Sequence, residues 1–288
     1  MPDHLHIVLS SEIQASIVIP SADGQRGGNV PRLLDDVRRQ TFRQLEVIVV
    51  VGVKPQGKAI NTGVARATGR YLVILDDDSR LPDPGTIGAL IAALEMDPCI
   101  GMAGASIRQP MSANRLQRRL ARELPRLAMP TVTTVTDSDM PCHGCCAFRR
   151  AVFTEIGGED ERLIRGLDPD LRMRLRDRGY RVVLVPDAVA EHPLPGTWRA
   201  AIQMFFRNGR GSAFAQRHNP ERVFDTDEDV AWRPERRLAT PWPRRIVRFG
   251  LRLVGRILTG SLTRATGDLV YAAGYLYEWC RLGGHRQV

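Results

Sequence analysis

The 288-residue chain is 43% hydrophobic and 25% charged, a composition that excludes a disordered or fibrous protein and leaves room for a large core. Five cysteines, an odd number, argue against a disulfide framework and fit a reducing compartment. The net charge of +9 is uneven: eleven arginines against three acids lie between Arg233 and Val288, so a nearly neutral body precedes a basic tail of the kind that meets an anionic surface, membrane or nucleic acid.

No apolar run approaches the roughly 18 residues needed to span a bilayer. Met1 to Ser11 lacks the basic and apolar regions of a signal peptide, and a cytoplasmic protein is expected.

In chain order, Ala15 to Pro20 reads as the first strand and Ser21 to Gly28 as a polar, glycine-rich loop. Asn29 is placed to cap a helix with Pro31 in its first turn, running to about Gln40. Leu45 to Val51 is too continuously apolar for a one-sided sheet and is expected at its centre. Gly57 to Thr68 reads as a helix with Lys58 and Asn61 on its first turn. Tyr71 to Leu75 is the third strand, Asp83-Pro84 opens a helix to about Met96, and Ile100 to Ile107 is the fourth strand. This alternation predicts right-handed βαβ units around a parallel sheet.

The third strand runs into Asp76-Asp77-Asp78. Ligands of open α/β sheets bind at the carboxyl ends of strands, and three adjacent acids need compensation. Alternation in an extended segment points Asp76 and Asp78 the same way. The triplet reads either as a site for a hard divalent cation with a diphosphate or as a solvated acidic turn before Pro82.

Arg115 to Arg126 reads as an amphipathic helix, a connector or a flank of a polar acceptor site. Cys142-His143-Gly144-Cys145-Cys146 has the look of a metal knuckle but no second ligand pair at zinc spacing. It reads as small buried residues at a strand. Cys145 to Phe148 is that strand, followed by a short helix ended by Gly157-Gly158. Asp168-Pro169 then forms a cap and first turn for a helix ended by Gly179. Arg181 to Val185 is a strand, and Trp198, Ile202, Phe205 and Phe206 recur at helical spacing.

From Pro241 aliphatic residues alternate with Arg244, Arg245, Arg248, Arg252 and Arg256, which share one flank of a helix. That profile suits either a helix in a membrane interface or one packed on its own domain with a solvated basic face. A second apolar helix, Leu269 to Leu282, carries Tyr271, Tyr275, Tyr277 and Trp279, aromatics that favour an interfacial zone. The tail has no zinc-finger or basic-zipper pattern, which argues against nucleic acid.

Four segments together resemble the family 2 glycosyltransferases. Ser16 to Pro20 is similar to the family's first strand. Lys58-Ala59-Ile60-Asn61-Thr62-Gly63, with Ala67-Thr68-Gly69, resembles its donor-pocket helix. Leu75-Asp76-Asp77-Asp78 resembles its D-x-D motif. The acceptor half is matched in order by Arg149-Arg150, Gly157-Gly158, Asp168-x-Asp170-Leu171-x-x-Arg174-Leu175, Gly179-Tyr180, and Pro186-Asp187-Ala188 with His192 following.

The resemblance implies a GT-A fold: a mixed, mostly parallel sheet flanked by helices. It would occupy residues 1–220, with a nucleotide-sugar half at 15–110 and an acceptor half at 111–220, then a linker at 221–240 and a basic helical tail at 241–288. It implies inverting transfer of a sugar from a nucleotide-sugar to a saccharide or lipid-linked acceptor, in cell-surface glycan or glycolipid synthesis, with magnesium or manganese as cofactor. Asp168 would be the general base, with Asp170 in reserve. Asp76 would contact the nucleotide, and Asp78, Asp76 and His192 would hold the metal. Pro20, Ser21, Lys58, Asn61 and Asp77 would line the donor pocket, with Arg207 and Arg210 near the diphosphate.

Two positions depart from the pattern. Val51-Gly52-Val53 stands where the family has an acid that reads the nucleotide base, with Asp23 as a substitute. Leu167 replaces the glutamate before the base. These losses keep open a non-catalytic, glycosyltransferase-like scaffold. A nucleotidyltransferase is a further alternative, for which Arg26 alone is thin support.

Overall fold

The computed structural model describes residues 4–124, 131–220 and 242–283. The expected linker at 221–240 lies outside the described residues.

The centre is an eight-stranded sheet in the order β1-β3-β2-β4-β7-β5-β8-β6. Its strands are β1 (His4–Val8), β2 (Ala15–Ser21), β3 (Leu45–Val51), β4 (Tyr71–Ile74), β5 (Ile100–Arg108), β6 (Thr136–Asp137), β7 (Cys146–Arg149) and β8 (Arg181–Glu191). β3, β2 and β4 are parallel, as are β5 and β8, while β7 runs antiparallel between β4 and β5. The sheet is therefore mixed, as expected: β2, β3, β4, β5 and β8 all point one way, while β1, β6 and β7 run against their neighbours. Strand β1, which pattern reading missed, pairs antiparallel with β3 at the edge. Its exposed Leu5 and Val8 give no clean inside-outside alternation.

Helices α1 (Asn29–Arg38), α2 (Gln56–Val64), α3 (Thr86–Met96), α5 (Arg150–Glu155) and α6 (Leu167–Asp177) cover the sheet, and α4 (Arg115–Glu123) follows β5. Strand β4 shows why both faces must be covered. Tyr71, Val73 and Leu75 enter one apolar cluster with Leu33, Leu90 and Ile91, whereas Leu72 and Ile74 enter another with Ile60, Phe148 and Leu171. A continuous apolar strand can satisfy two clusters because its side chains alternate.

Helix starts differ from the expected caps. Asn29 does not cap α1; Gly28 does, in the left-handed conformation, and the Asn29 amide donates instead to the carbonyls of Asp77 and Ser79. Helix α3 begins at Thr86, two residues after Pro84, while Asp83 accepts from the Gly85 N–H at 2.7 Å. Asp168 lies inside the first turn of α6, whose cap is Gly166.

The C-terminal part consists of α7 (Trp198–His218), α8 (Trp242–Leu258) and α9 (Leu262–Gly283). Helix α9 lies tightly on α7. A Cβ on Gly209 would run into the Tyr271 carbonyl oxygen, and one on Gly274 into that of Phe206. Glycine at both crossings lets the backbones touch. The aromatics expected at an interface are partly used here: Tyr277 packs beside Phe206, with ring centres 5.7 Å apart. For α9, packing on its own domain is the outcome. No helix among the described residues is long and apolar enough to cross a membrane.

Candidate active site

The acidic triplet leaves β4 at the carboxyl edge of the sheet, beside the loop after β2. Asp77 turns inward: the Ser21 hydroxyl donates to it at 2.7 Å, and it is buried. Burial raises its pKa, against the pull of Ser21 and Arg26. Asp76 and Asp78 face the other way, towards His192 at the end of β8. Its Nε2 lies 3.0 Å from Asp78 Oδ1 and 3.5 Å from Asp76 Oδ2. One ligand atom from each of the three residues falls within 4.8 Å of the others.

Two carboxylates and an imidazole form a fitting donor set for a divalent cation of the magnesium or manganese type. The local charge agrees. Arg26 reaches Asp78 at 2.7 Å, so two cationic groups already gather on this carboxylate. Burial disfavours its ionisation, but His192 and Arg26 prevail and hold Asp78 well below the usual carboxylate range. Burial likewise opposes protonation of His192, and the two aspartates outweigh it, pushing its pKa up to about 10. A cation bound to these carboxylates would take over the proton's role and need the imidazole neutral.

The chain then joins this cluster to Asp168 through one residue. The Asp76 N–H donates to the His143 carbonyl at 2.9 Å, and the His143 N–H donates to Asp168 Oδ1 at 2.7 Å. The Ser79 hydroxyl also donates to the Gly144 carbonyl at 2.7 Å. The loop before β7 thus fastens the acidic cluster to the start of α6. Asp168 remains partly accessible, its side chain 31% exposed.

The His143 ring has a second function that its sequence context hid. It is 3% exposed and bridges two acids, with Nδ1 3.1 Å from Asp168 and Nε2 2.9 Å from Glu159. Burial opposes the imidazolium, yet Asp168 and Glu159 raise its pKa to about 10. Leu167, which replaces the expected glutamate, packs with the Glu159 side chain around Gly57. A carboxylate thus returns to this neighbourhood from a different part of the chain. Because Glu159 and His143 are 16 positions apart and in different elements, no local pattern could pair them. The cysteines of the same stretch are structural in setting: Cys145 and Cys146 are fully buried, and burial raises their thiol pKa values.

Other expected residues divide between the cluster and the scaffold. Arg207 on α7 is exposed, and its pKa is lowered by partial burial and by the neighbouring cations Arg165 and Arg26. Of these, Arg26 is the one that contacts the acids, through Asp78 and Asp77. Arg210 is turned away. It pairs with the buried Glu278 of α9 at 2.6 Å and lies over Tyr277. Asn61 holds the main chain of Glu159 through both its amide nitrogen and oxygen. Asp23, exposed in the loop after β2, accepts from the N–H groups of Gln25 and Arg26 through Oδ1 and braces that loop. Lys58 is exposed on α2, and Pro20 is buried in β2 opposite Val50. Gln56, overlooked in the sequence, donates to Asp76 Oδ1 at 2.8 Å.

The chain spans less than half the length of the two curated relatives compared here. It is 28% identical over 185 residues to the pre-mycofactocin glycosyltransferase of Mycobacterium tuberculosis, covering 60% of this chain and 38% of that protein. It is 23% identical over 195 residues to YdaM of Bacillus subtilis, covering 62% and 44% respectively. Among solved structures, the mannosyltransferase PcManGT from Pyrobaculum calidifontis, in complex with GDP-Man and Mn2+, superposes with a TM-score of 0.60 at 16% identity. The match covers 94% of this chain and 88% of that one, and shows the same GT-A fold. The model described as "Glycosyltransferase like family 2" matches residues 4–211, and the chain belongs to that family.

Proposed function

We propose that the protein transfers a sugar from a nucleoside-diphosphate sugar to an acceptor hydroxyl, with inversion at the anomeric carbon and with Asp168 as general base. The observation that carries this reading is His143, whose backbone links Asp76 at one end to Asp168 at the other. A candidate base therefore stands one residue's width from the candidate diphosphate site.

Asp76, Asp78 and His192 would hold magnesium or manganese, which supplies Lewis-acid stabilisation of charge on the departing diphosphate. Arg207, with Arg26 and Arg165, adds positive charge beside that leaving group. Asp168 takes the proton as the acceptor oxygen forms its bond to the anomeric carbon. The bond from that carbon to the phosphate oxygen breaks, and the nucleoside diphosphate leaves with the electron pair. Asp168 is suited to hold the proton acceptor position because His143 fixes one carboxylate oxygen and leaves the group partly accessible. The acceptor class is a saccharide or a lipid-linked saccharide. With Val51 in the acid's place, the nucleotide base is left to backbone and apolar contacts and to the exposed Asp23.

The test is nucleoside diphosphate release from a panel including GDP-mannose and UDP-N-acetylglucosamine, with manganese or magnesium, for the wild type, Asp78→Ala and Asp168→Asn. Metal-dependent release that disappears in Asp78→Ala is expected. Failure of every donor to bind or turn over with either metal would reject the enzyme and favour the scaffold.

A further inference from the structure

Helix α8 leaves a broad aliphatic face in water. Ile246, Val247, Leu251, Val254, Ile257 and Leu258 are all at least 53% exposed, reaching 80% at Leu258. At 100° per residue these six fall on one face. The other side carries the half-buried Phe249, Leu253 and Arg256, and Arg256 and the exposed Arg252 both pair with Asp268 of α9. Arg256 thus anchors the helix to α9, and the aliphatic face is left in water. An ordinary surface helix does the reverse. Arg244 and Arg248, both exposed, border the aliphatic face on the side of Leu251.

We infer that α8 docks in the plane of an anionic phospholipid surface, with its aliphatic face in the headgroup–acyl boundary and Arg244 and Arg248 against the lipid phosphates. Charge complementarity selects this occupant. A second copy of the same face offers those arginines no negative charge. A bilayer supplies both the apolar layer and the negative charge. The helix cannot cross the membrane, so the contact is peripheral. Helix α9 rests on α7, which also carries Arg207, so docking would tie the candidate active site to the lipid surface through two packed helices.

The experiment is sedimentation of the full chain with vesicles of phosphatidylcholine alone or mixed with phosphatidylglycerol. It uses no sugar donor, so its outcome is independent of the reaction proposed above. Wild type should pellet with the mixed vesicles and remain in solution with phosphatidylcholine. Each bordering arginine is expected to contribute roughly a fivefold change in partition. Arg244→Glu with Arg248→Glu should therefore weaken binding by at least about 25-fold and remove its salt sensitivity. Leu251→Asp with Val254→Asp alters only exposed positions and should keep the melting temperature while abolishing binding. Equal pelleting of either pair and the wild type would overturn the proposal. So would a wild-type chain that ignores anionic vesicles and elutes as a stable dimer, which would assign the face to a second copy.

Discussion

Replacing His143 by alanine should damage stability more than any exposed change in the candidate site. The Glu159 side chain is fully buried, and among the described residues no side chain but that of His143 reaches its carboxylate. Its compensation is the His143 ring at 2.9 Å. Removing one member of a buried ion pair typically costs about 3–5 kcal/mol, because the other charge stays buried. That is a large part of the 5–15 kcal/mol by which a domain is usually stable. Urea unfolding followed by fluorescence should therefore show a midpoint far below that of the wild type. The double variant His143→Leu with Glu159→Leu should recover much of the loss, since no charge is left stranded. The pH dependence follows the same logic. The folded-state pKa of His143 is raised above its unfolded value of about 6.5. Its contribution is fully present below pH 6.5 or so and is lost as pH rises through about 10. The penalty of His143→Ala should be largest near neutrality and shrink in alkali. A penalty under about 1 kcal/mol at neutral pH, with no change towards alkali, would refute a charged His143–Glu159 pair.

Asp78→Ala should weaken manganese binding, measured by calorimetry, by more than the roughly 10–100-fold typical of losing an outer-shell partner. Asp168→Asn keeps an oxygen for the His143 N–H, so donor affinity should persist while transfer falls about 10²–10⁴-fold in a steady-state assay. Gly274→Leu should separate α9 from α7, because the obstacle is the Phe206 backbone; a lower melting temperature and faster proteolytic release of the C-terminal helices would report it. Glu46 is fully buried and held below its ordinary pKa: burial opposes ionisation, but donors from Ser16 and Thr68 outweigh it. Its stabilisation is present above the unfolded pKa and lost as pH falls through the folded value, so the stability gap between the wild type and Glu46→Gln should close in acid.

Much of the sheet was legible because its strands are continuous apolar runs ending in turn residues, and β4 carried its acids in the open. Alternation alone placed Asp76 and Asp78 on one side and Asp77 on the other, as the hydrogen bonds then show. Edge strand β1 was not legible, since an edge need not be apolar on both faces. The caps failed for a common reason. Asn29 and Asp168 are good caps by type, but each found a better partner across the fold, Asn29 in the carbonyls of the acidic loop and Asp168 in the His143 N–H.

The sequence by itself determined the inner strands of the sheet, the acidic edge and the basic, amphipathic character of α8, because these depend on local composition and period. Only the tertiary structure decided which charges meet. It turned Arg210 to Glu278, set Arg26 against Asp78, and joined Glu159 and Asp168 through His143. It also left the aliphatic face of α8 outward, with Arg256 paired to an aspartate on the next helix. Ion pairing acts through space over a few ångströms, and sequence distance carries no record of it.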